Sequence, residues 1–136
     1  MNEITAILGV IGSDCHAVGN KILDHALSHE GIKVVNLGVM VSQDEFIDAA
    51  IETGAQAILI STIISHNDVH RTQMRKLAEL CREKGIRDRI ILIAGGTQVN
   101  RDMAKETGLD ATFGRGTKGI HVVNAMVKVL KARGVV

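Results

Sequence analysis

Asp14, Cys15 and His16 stand side by side, with Gly19 three positions beyond the histidine, between the apolar residues 4–11 and a stretch of helical periodicity. A histidine that ligates a metal through one ring nitrogen usually donates its other N–H to a carboxylate, which fixes the tautomer and raises the basicity of the ligating nitrogen. Asp14 can serve His16 in that way. The alternative is an ordinary polar loop, and the residues alone leave both readings open. Gly19 either lets the loop approach something closely or simply begins the helix.

Zinc fits these residues less well, because structural zinc takes four protein ligands and catalytic zinc three. Cys15, His16 and His25 are near one another in the chain, but His25 falls on the helix. His66 and His70 have the i, i+4 spacing of one helix face, with no third ligand in view, and such a pair is ordinarily solvated surface. Phosphate chemistry fits poorly: there is no Walker A sequence, and Gly9, Gly12 and Gly19 do not match the dinucleotide fingerprint. Ser61 and Thr62 occupy the end of the third strand, where a phosphoacceptor aspartate would have to be.

A second group of residues suggests space rather than reactivity. Gly95-Gly96 and Gly114-x-Gly116 follow two later strands, and Ser61 and Thr117 add hydroxyls nearby. Paired glycines at strand ends either leave a slot for something bulky to lie along the backbone or satisfy tight loop geometry. The first reading predicts a long, narrow slot between strand ends.

These loops must be positioned by the elements around them. Apolar, β-branched runs recur at residues 4–11, 33–37, 57–61, 90–94 and 111–113, and the segments between carry helical periodicity. Residues 20–29 place Ile22, Leu23, Ala26 and Leu27 on one face, and residues 43–53 do the same with Phe46, Ile47, Ala50 and Ile51. Residues 70–84 align Met74, Leu77, Ala78 and Cys81, and residues 120–132 align Val123, Met126, Val127 and Leu130. Gly31, Gly54, Gly85 and Gly108 fall where the helices should stop. Five β–α units with right-handed crossovers predict an α/β fold: a doubly wound, five-stranded parallel sheet of flavodoxin-like (Rossmann-like) type, strand order 2-1-3-4-5. Ligands of such sheets bind beyond the carboxyl ends of the strands, which is where the residues above lie.

Composition narrows the partners. With 16 basic and 15 acidic residues the net charge of +1 gives no field for steering onto nucleic acid or an anionic membrane. No apolar run approaches the ~20 residues that span a bilayer, and the start of the chain lacks a secretory leader, so a cytoplasmic location is expected. Two cysteines make no disulfide framework. Phe46 and Phe113 are the only aromatic residues, so a ligand is not held mainly by ring stacking.

Taken together the loop residues resemble the cobalamin-binding domain family, whose motifs Asp-x-His-x-x-Gly, Ser-x-Leu and Gly-Gly read here Asp14-x-His16-x-x-Gly19, Ser61-x-Ile63 and Gly95-Gly96. Within it, IGSDCHAVGNKILDHAL, VVNLGV and SQDEFIDAAIETGA resemble the small subunit of glutamate mutase. STIISHNDVH, GIRDRIILIAGG and ATFGRGT are more similar to the cobalamin domain of lysine and ornithine aminomutases.

The resemblance implies one cobalamin-binding domain over residues 1–136, holding adenosylcobalamin base-off with His16 as the lower axial cobalt ligand and Asp14 behind it. Ser13, Asp14, Cys15, His16, Ala17, Val18 and Gly19 would form the first cofactor loop, with Cys15 turned away from the cobalt. Ser61, Thr62 and Ile63 would meet the nucleotide tail, Gly95, Gly96 and Thr97 would line its path, and Gly114, Gly116 and Thr117 would close the far side. The implied chemistry is cobalt–carbon homolysis and a radical 1,2-shift, most directly of glutamate to 3-methylaspartate. It requires a large catalytic subunit, a barrel, in a hetero-oligomer, so the chain alone would be inactive. The aminomutase resemblance implies instead the cobalamin component of an amino-acid aminomutase, with pyridoxal phosphate on the partner because no lysine here is placed for a Schiff base. A non-enzymatic corrinoid carrier for methyl transfer is a third possibility, disfavoured because the chain begins directly at strand one without a helical cap.

Overall fold

Apolar runs too short for helices, covered on both faces, form one parallel sheet in the computed structural model, which describes residues 4–11, 18–62, 68–96, 99–114 and 119–134. The elements in chain order are β1 (Thr5–Val10), α1 (Val18–His29), β2 (Lys33–Asn36), α2 (Gln43–Thr53), β3 (Ala57–Ser61), α3 (Val69–Glu83), a 3-10 turn (Arg87–Arg89), β4 (Ile91–Gly95), α4 (Met103–Thr107), β5 (Ala111–Phe113) and α5 (Gly119–Ala132). The sheet order is β2-β1-β3-β4-β5 with every pairing parallel, the doubly wound, flavodoxin-like order expected.

The period of two along each strand builds two cores. Ile7, Ile58, Ile60 and Leu92 pack with Phe46, Met74, Leu77 and Cys81 beneath α2, α3 and α4. Leu8, Ala57, Leu59, Ile91 and Ile93 pack with Leu27, Val123, Met126 and Leu130 beneath α1 and α5. Each such leucine or isoleucine, fully buried, stabilises the fold by about 1.5–3 kcal/mol before entropy is counted, so the layers are held independently of the loops above them.

Local signals set the helix ends. Ser42 accepts from the Glu45 backbone N–H while the Glu45 carboxylate accepts from the Ser42 N–H, a capping box that starts α2. Gly31, Gly54, Gly85 and Gly108 all have positive φ, as stop positions require. The expected faces of α3 and α5 hold, and in α2 Phe46, Ile47 and Ala50 are buried as expected while Ile51, at the border of that face, is 46% exposed; α1 is turned from expectation, with Ile22 62% exposed. In α1 the fully buried position is Leu27, and Asn20, seven residues earlier on the same face, is buried in place of Ile22. No described helix is long and apolar enough to cross a membrane.

Candidate functional site

The two middle strands set the site's position. β1 lies between β2 and β3, so the crossovers to either side leave the sheet in opposite directions at the β1/β3 boundary, the switch point where doubly wound sheets take ligands. Ile11 N donates to Ser61 O at 3.1 Å, so the chain enters residues 12–17 beside the end of β3. Thr62 N donates to Gly95 O at 3.0 Å and Gly96 N to Phe113 O at 3.1 Å, extending the ladder past the strand ends. Ser61, Thr62, Gly95, Gly96 and Gly114 are thereby brought to one edge. Val18 and Gly19 begin α1, which makes Gly19 a helix-start glycine. Ser13, Asp14, Cys15, His16, Ala17, Ile63, Thr97, Gly116 and Thr117 lie outside the described residues.

The glycines divide by what a side chain would meet. A Cβ on Gly96 would stand 1.7 Å from the Thr62 carbonyl oxygen, and one on Gly114 would stand 2.4 Å from that of Val99. At these two positions tight backbone packing, the second of the two readings, excludes any side chain. Gly95 differs: among the described residues the nearest atom to its Cβ would be Phe113 O at 3.6 Å, an ordinary contact, so no described neighbour forbids a side chain there.

Two polar atoms at this edge lack hydrogen-bond partners among the described residues. Asn20 is 3% exposed; its Nδ2 donates to Asn36 Oδ1 at 2.9 Å, while its own Oδ1 is buried without a hydrogen bond. His70, in the first turn of α3, is 5% exposed with Nδ1 unbonded, 3.7 Å from Asp68 Oδ1. His70 is therefore not the solvated surface histidine expected from the His66 spacing, because α3 begins at Val69 and turns it inward. Folded proteins rarely bury a polar atom unpaired, and a ligand is one of the standing explanations. Both atoms lie in the first turns of helices that follow the two central strands. Neither residue was singled out as a ligand contact from sequence. For Asn20 the signal is an amide where the α1 periodicity calls for an apolar residue.

The charged groups around His70 are paired. Asp68 adopts a left-handed conformation at φ 58°, and Arg71 Nη1 donates to its Oδ1 at 2.7 Å while Arg71 Nε donates to Glu106 Oε2 at 3.0 Å. The hydrogen bond from Arg71 holds the exposed Asp68 carboxyl below its usual range. Cys81 is a free thiol in the α3 core, and burial pushes it up to about 11, so it is not a nucleophile at neutral pH. Among the described residues no group of three or more His, Cys, Asp or Glu is arranged to hold a metal ion.

The switch point, Gly95 and two buried polar atoms without partners among the described residues fall together at the edge where doubly wound sheets take ligands. The chain belongs to the B12-binding domain family, whose B12 binding domain matches residues 4–123. Its ligand class is therefore cobalamin. More particularly, it is 49% identical over 120 residues to the glutamate mutase sigma subunit of Escherichia coli O157:H7, covering 83% of this chain and 78% of that one. It is 46% identical over 126 residues to the D-ornithine 4,5-aminomutase subunit beta of Acetoanaerobium sticklandii, covering 90% of this chain but only 17% of that one. In structure it resembles a cobalamin-binding protein from Desulfitobacterium hafniense DCB-2, with a TM-score of 0.79 at 21% identity, over 96% of this chain and 59% of that one. That last likeness speaks for the fold.

Proposed function

We propose that the chain, as one cytoplasmic cobalamin-binding unit over residues 1–136, is the small subunit of an adenosylcobalamin-dependent mutase that converts glutamate to 3-methylaspartate. The observation that carries this reading is the match to a glutamate mutase sigma subunit along most of both chains. The Asp14-x-His16-x-x-Gly19 motif at the exit of β1 supports it. When bound, adenosylcobalamin supplies a cobalt–carbon bond that breaks homolytically to start radical chemistry.

The residues of this chain bind and orient. His16 would hold the cobalt through a neutral ring nitrogen, and Asp14 would accept its other N–H and keep the ligating nitrogen basic. Ser61 and Thr62 would hold the cofactor's nucleotide tail through their hydroxyls, with Gly95 leaving room for it. A radical must be shielded from water, and a separate catalytic subunit, a barrel, would provide both the shield and the substrate contacts.

The second reading, a cobalamin component of an ornithine or lysine aminomutase, is favoured by one observation. The similarity to the D-ornithine 4,5-aminomutase subunit beta runs over 90% of this chain and includes the region around His70. Mixing the purified chain with each type of catalytic subunit and assaying 3-methylaspartate formation against ornithine rearrangement separates the two.

Axial ligation is tested by electron paramagnetic resonance of cob(II)alamin bound to the protein, with natural-abundance and 15N-labelled histidine, beside His16→Ala. A nitrogen splitting that changes on labelling and vanishes in the variant is the expected result. Cobalamin that stays base-on, or fails to bind, overturns the proposal.

A further inference from the structure

Asn20 lies on the buried face of α1, one residue beyond Gly19, and the sense of its amide is set by a chain of hydrogen bonds. Ser28 Oγ donates to Asp24 Oδ1 at 3.2 Å, and Asn36 Nδ2 donates to Asp24 Oδ2 at 2.8 Å. Asn36 must then turn its Oδ1 the other way, where it accepts from the Gly38 N–H at 2.9 Å and from Asn20 Nδ2 at 2.9 Å. A carboxylate only accepts and a backbone N–H only donates, so neither amide can be reversed without breaking these bonds. Asn20 Oδ1 is thus an acceptor of known sense, 3% exposed at the residue, and unpaired.

The position says what should pair with it. Asn20 begins the helix that follows the residues 12–17, and Asn36 ends β2, so the amide is braced between α1 and the carboxyl edge of the sheet. What is missing there is an N–H donor that arrives from outside the described residues. The rim of a corrin ring carries primary carboxamides, each with two N–H donors.

We propose that Asn20, braced by Asn36, is a positioning residue for the corrinoid: its Oδ1 accepts a hydrogen bond from a peripheral carboxamide of the bound cofactor. This rests on the cobalamin reading above. In turn it explains why an amide occupies the face of α1 where Leu27 is fully buried. An apolar residue of the same volume would suit the empty protein better.

The test compares wild type with Asn20→Leu, which keeps the branched shape of the side chain and removes the acceptor together with the Nδ2 donor. Thermal melting of the cofactor-free proteins and spectroscopic titration with hydroxocobalamin are measured. So is titration with the cobalamin monocarboxylic acids, in each of which one peripheral carboxamide is a carboxylate. The expected result is unchanged or raised stability without cofactor and a dissociation constant for hydroxocobalamin raised about tenfold, the loss of one good hydrogen bond. In wild type one monocarboxylic acid should bind markedly worse than the others, since its carboxylate cannot donate to Oδ1, and in Asn20→Leu that difference should vanish.

An unchanged dissociation constant overturns the inference. So does a loss equal for every acid, with the wild-type ranking kept, because Asn20 would then act through the neighbouring residues 12–17 and not on the cofactor. Should Asn20→Leu fail to fold, Asn36→Ala, at an exposed position on the edge strand, removes the brace and should blunt the same discrimination; full retention of it is again the overturning result. If wild type binds no cobalamin, the functional reading falls along with this one. If wild type binds and the variants match it, only this inference falls.

Discussion

At the amino edge of the sheet Asp110 receives the Leu92 N–H at 2.9 Å and pairs with Arg87 at 3.2 Å and with Arg133, while Arg133 also donates to Ile90 O at 2.8 Å and Arg87 to Gly108 O at 2.9 Å. At the carboxyl edge Asn20 and His70 are buried more deeply, yet each keeps an atom with no partner among the described residues. The described residues satisfy one edge among themselves and leave two buried atoms of the other without partners. An unpaired buried acceptor costs roughly 1–3 kcal/mol, so a stability argument alone would have replaced these residues with apolar ones. The difference falls where doubly wound sheets take ligands: the amino edge is closed by its own ion pairs, and the two atoms without described partners lie at the carboxyl edge.

The largest effect should come from the place where the carboxyl edge is itself tightly built. Gly96→Ala sets a Cβ 1.7 Å from the Thr62 carbonyl oxygen, which is backbone and cannot swing aside. The ends of β3 and β4 must part, and we expect a loss of about 3 kcal/mol in chemical denaturation together with weakened cobalamin binding. A stable Gly96→Ala protein would mean that the strand ends are less closely joined than their hydrogen bonds indicate. Asp110→Ala should cost somewhat less, about 2–3 kcal/mol, since it strands two guanidinium groups and the Leu92 N–H while leaving solvent within reach of both arginines. Cobalamin affinity of the folded protein should not change. If it does, the two edges are coupled and the division between them fails.

How much of this was readable beforehand follows from what each feature depends on. The parallel sheet and its order were readable because strands buried on both faces, such as residues 57–61, show up as unbroken apolar runs whatever the loops do. Helix stops were readable at Gly31, Gly54, Gly85 and Gly108, where conformation is a local matter. The five-residue α4 showed no periodicity to read. It is instead secured by tertiary bonds, Ala104 N donating to Thr112 Oγ1 and Thr112 Oγ1 to Asn100 O. The Arg87–Asp110–Arg133 cluster joins the 3-10 turn, the residue before β5 and the residue after α5, and nothing local announces it. Gly96 and Gly114 stand out in the sequence as paired glycines at strand ends, but only coordinates distinguish an absent side chain that leaves space from one that admits a neighbouring carbonyl, as both of these do. The motif residues Asp14 and His16 were readable through resemblance and chemistry, and they lie outside the described residues.

Smaller effects test the carboxyl edge more finely. His70→Leu removes a buried imidazole whose Nδ1 has no hydrogen bond, so stability should change by no more than about 1 kcal/mol. A loss as large as that of Asp110→Ala would show that His70 supports the fold, and the contrast between the edges would then rest on Asn20 alone.

The smallest effect belongs to Asp68→Asn. Asparagine tolerates the left-handed conformation that Asp68 adopts at φ 58°, so the substitution removes the ion pair with Arg71 and leaves the backbone unstrained. The hydrogen bond from Arg71 is the chief cause that lowers the Asp68 carboxyl from its ordinary 3.8. A carboxyl so lowered in the folded state adds stability above its unfolded value and loses it as the pH falls through the folded one. Wild type should therefore melt slightly above Asp68→Asn at pH 7, and the gap should close as the pH is taken below 3.8. It should also shrink in concentrated salt, because the pair is exposed and screened. Cobalamin affinity should be the same in both proteins. A variant that melted like wild type but bound cobalamin more weakly would extend the ligand's reach along the edge to Arg71, beyond the two buried atoms that now mark it.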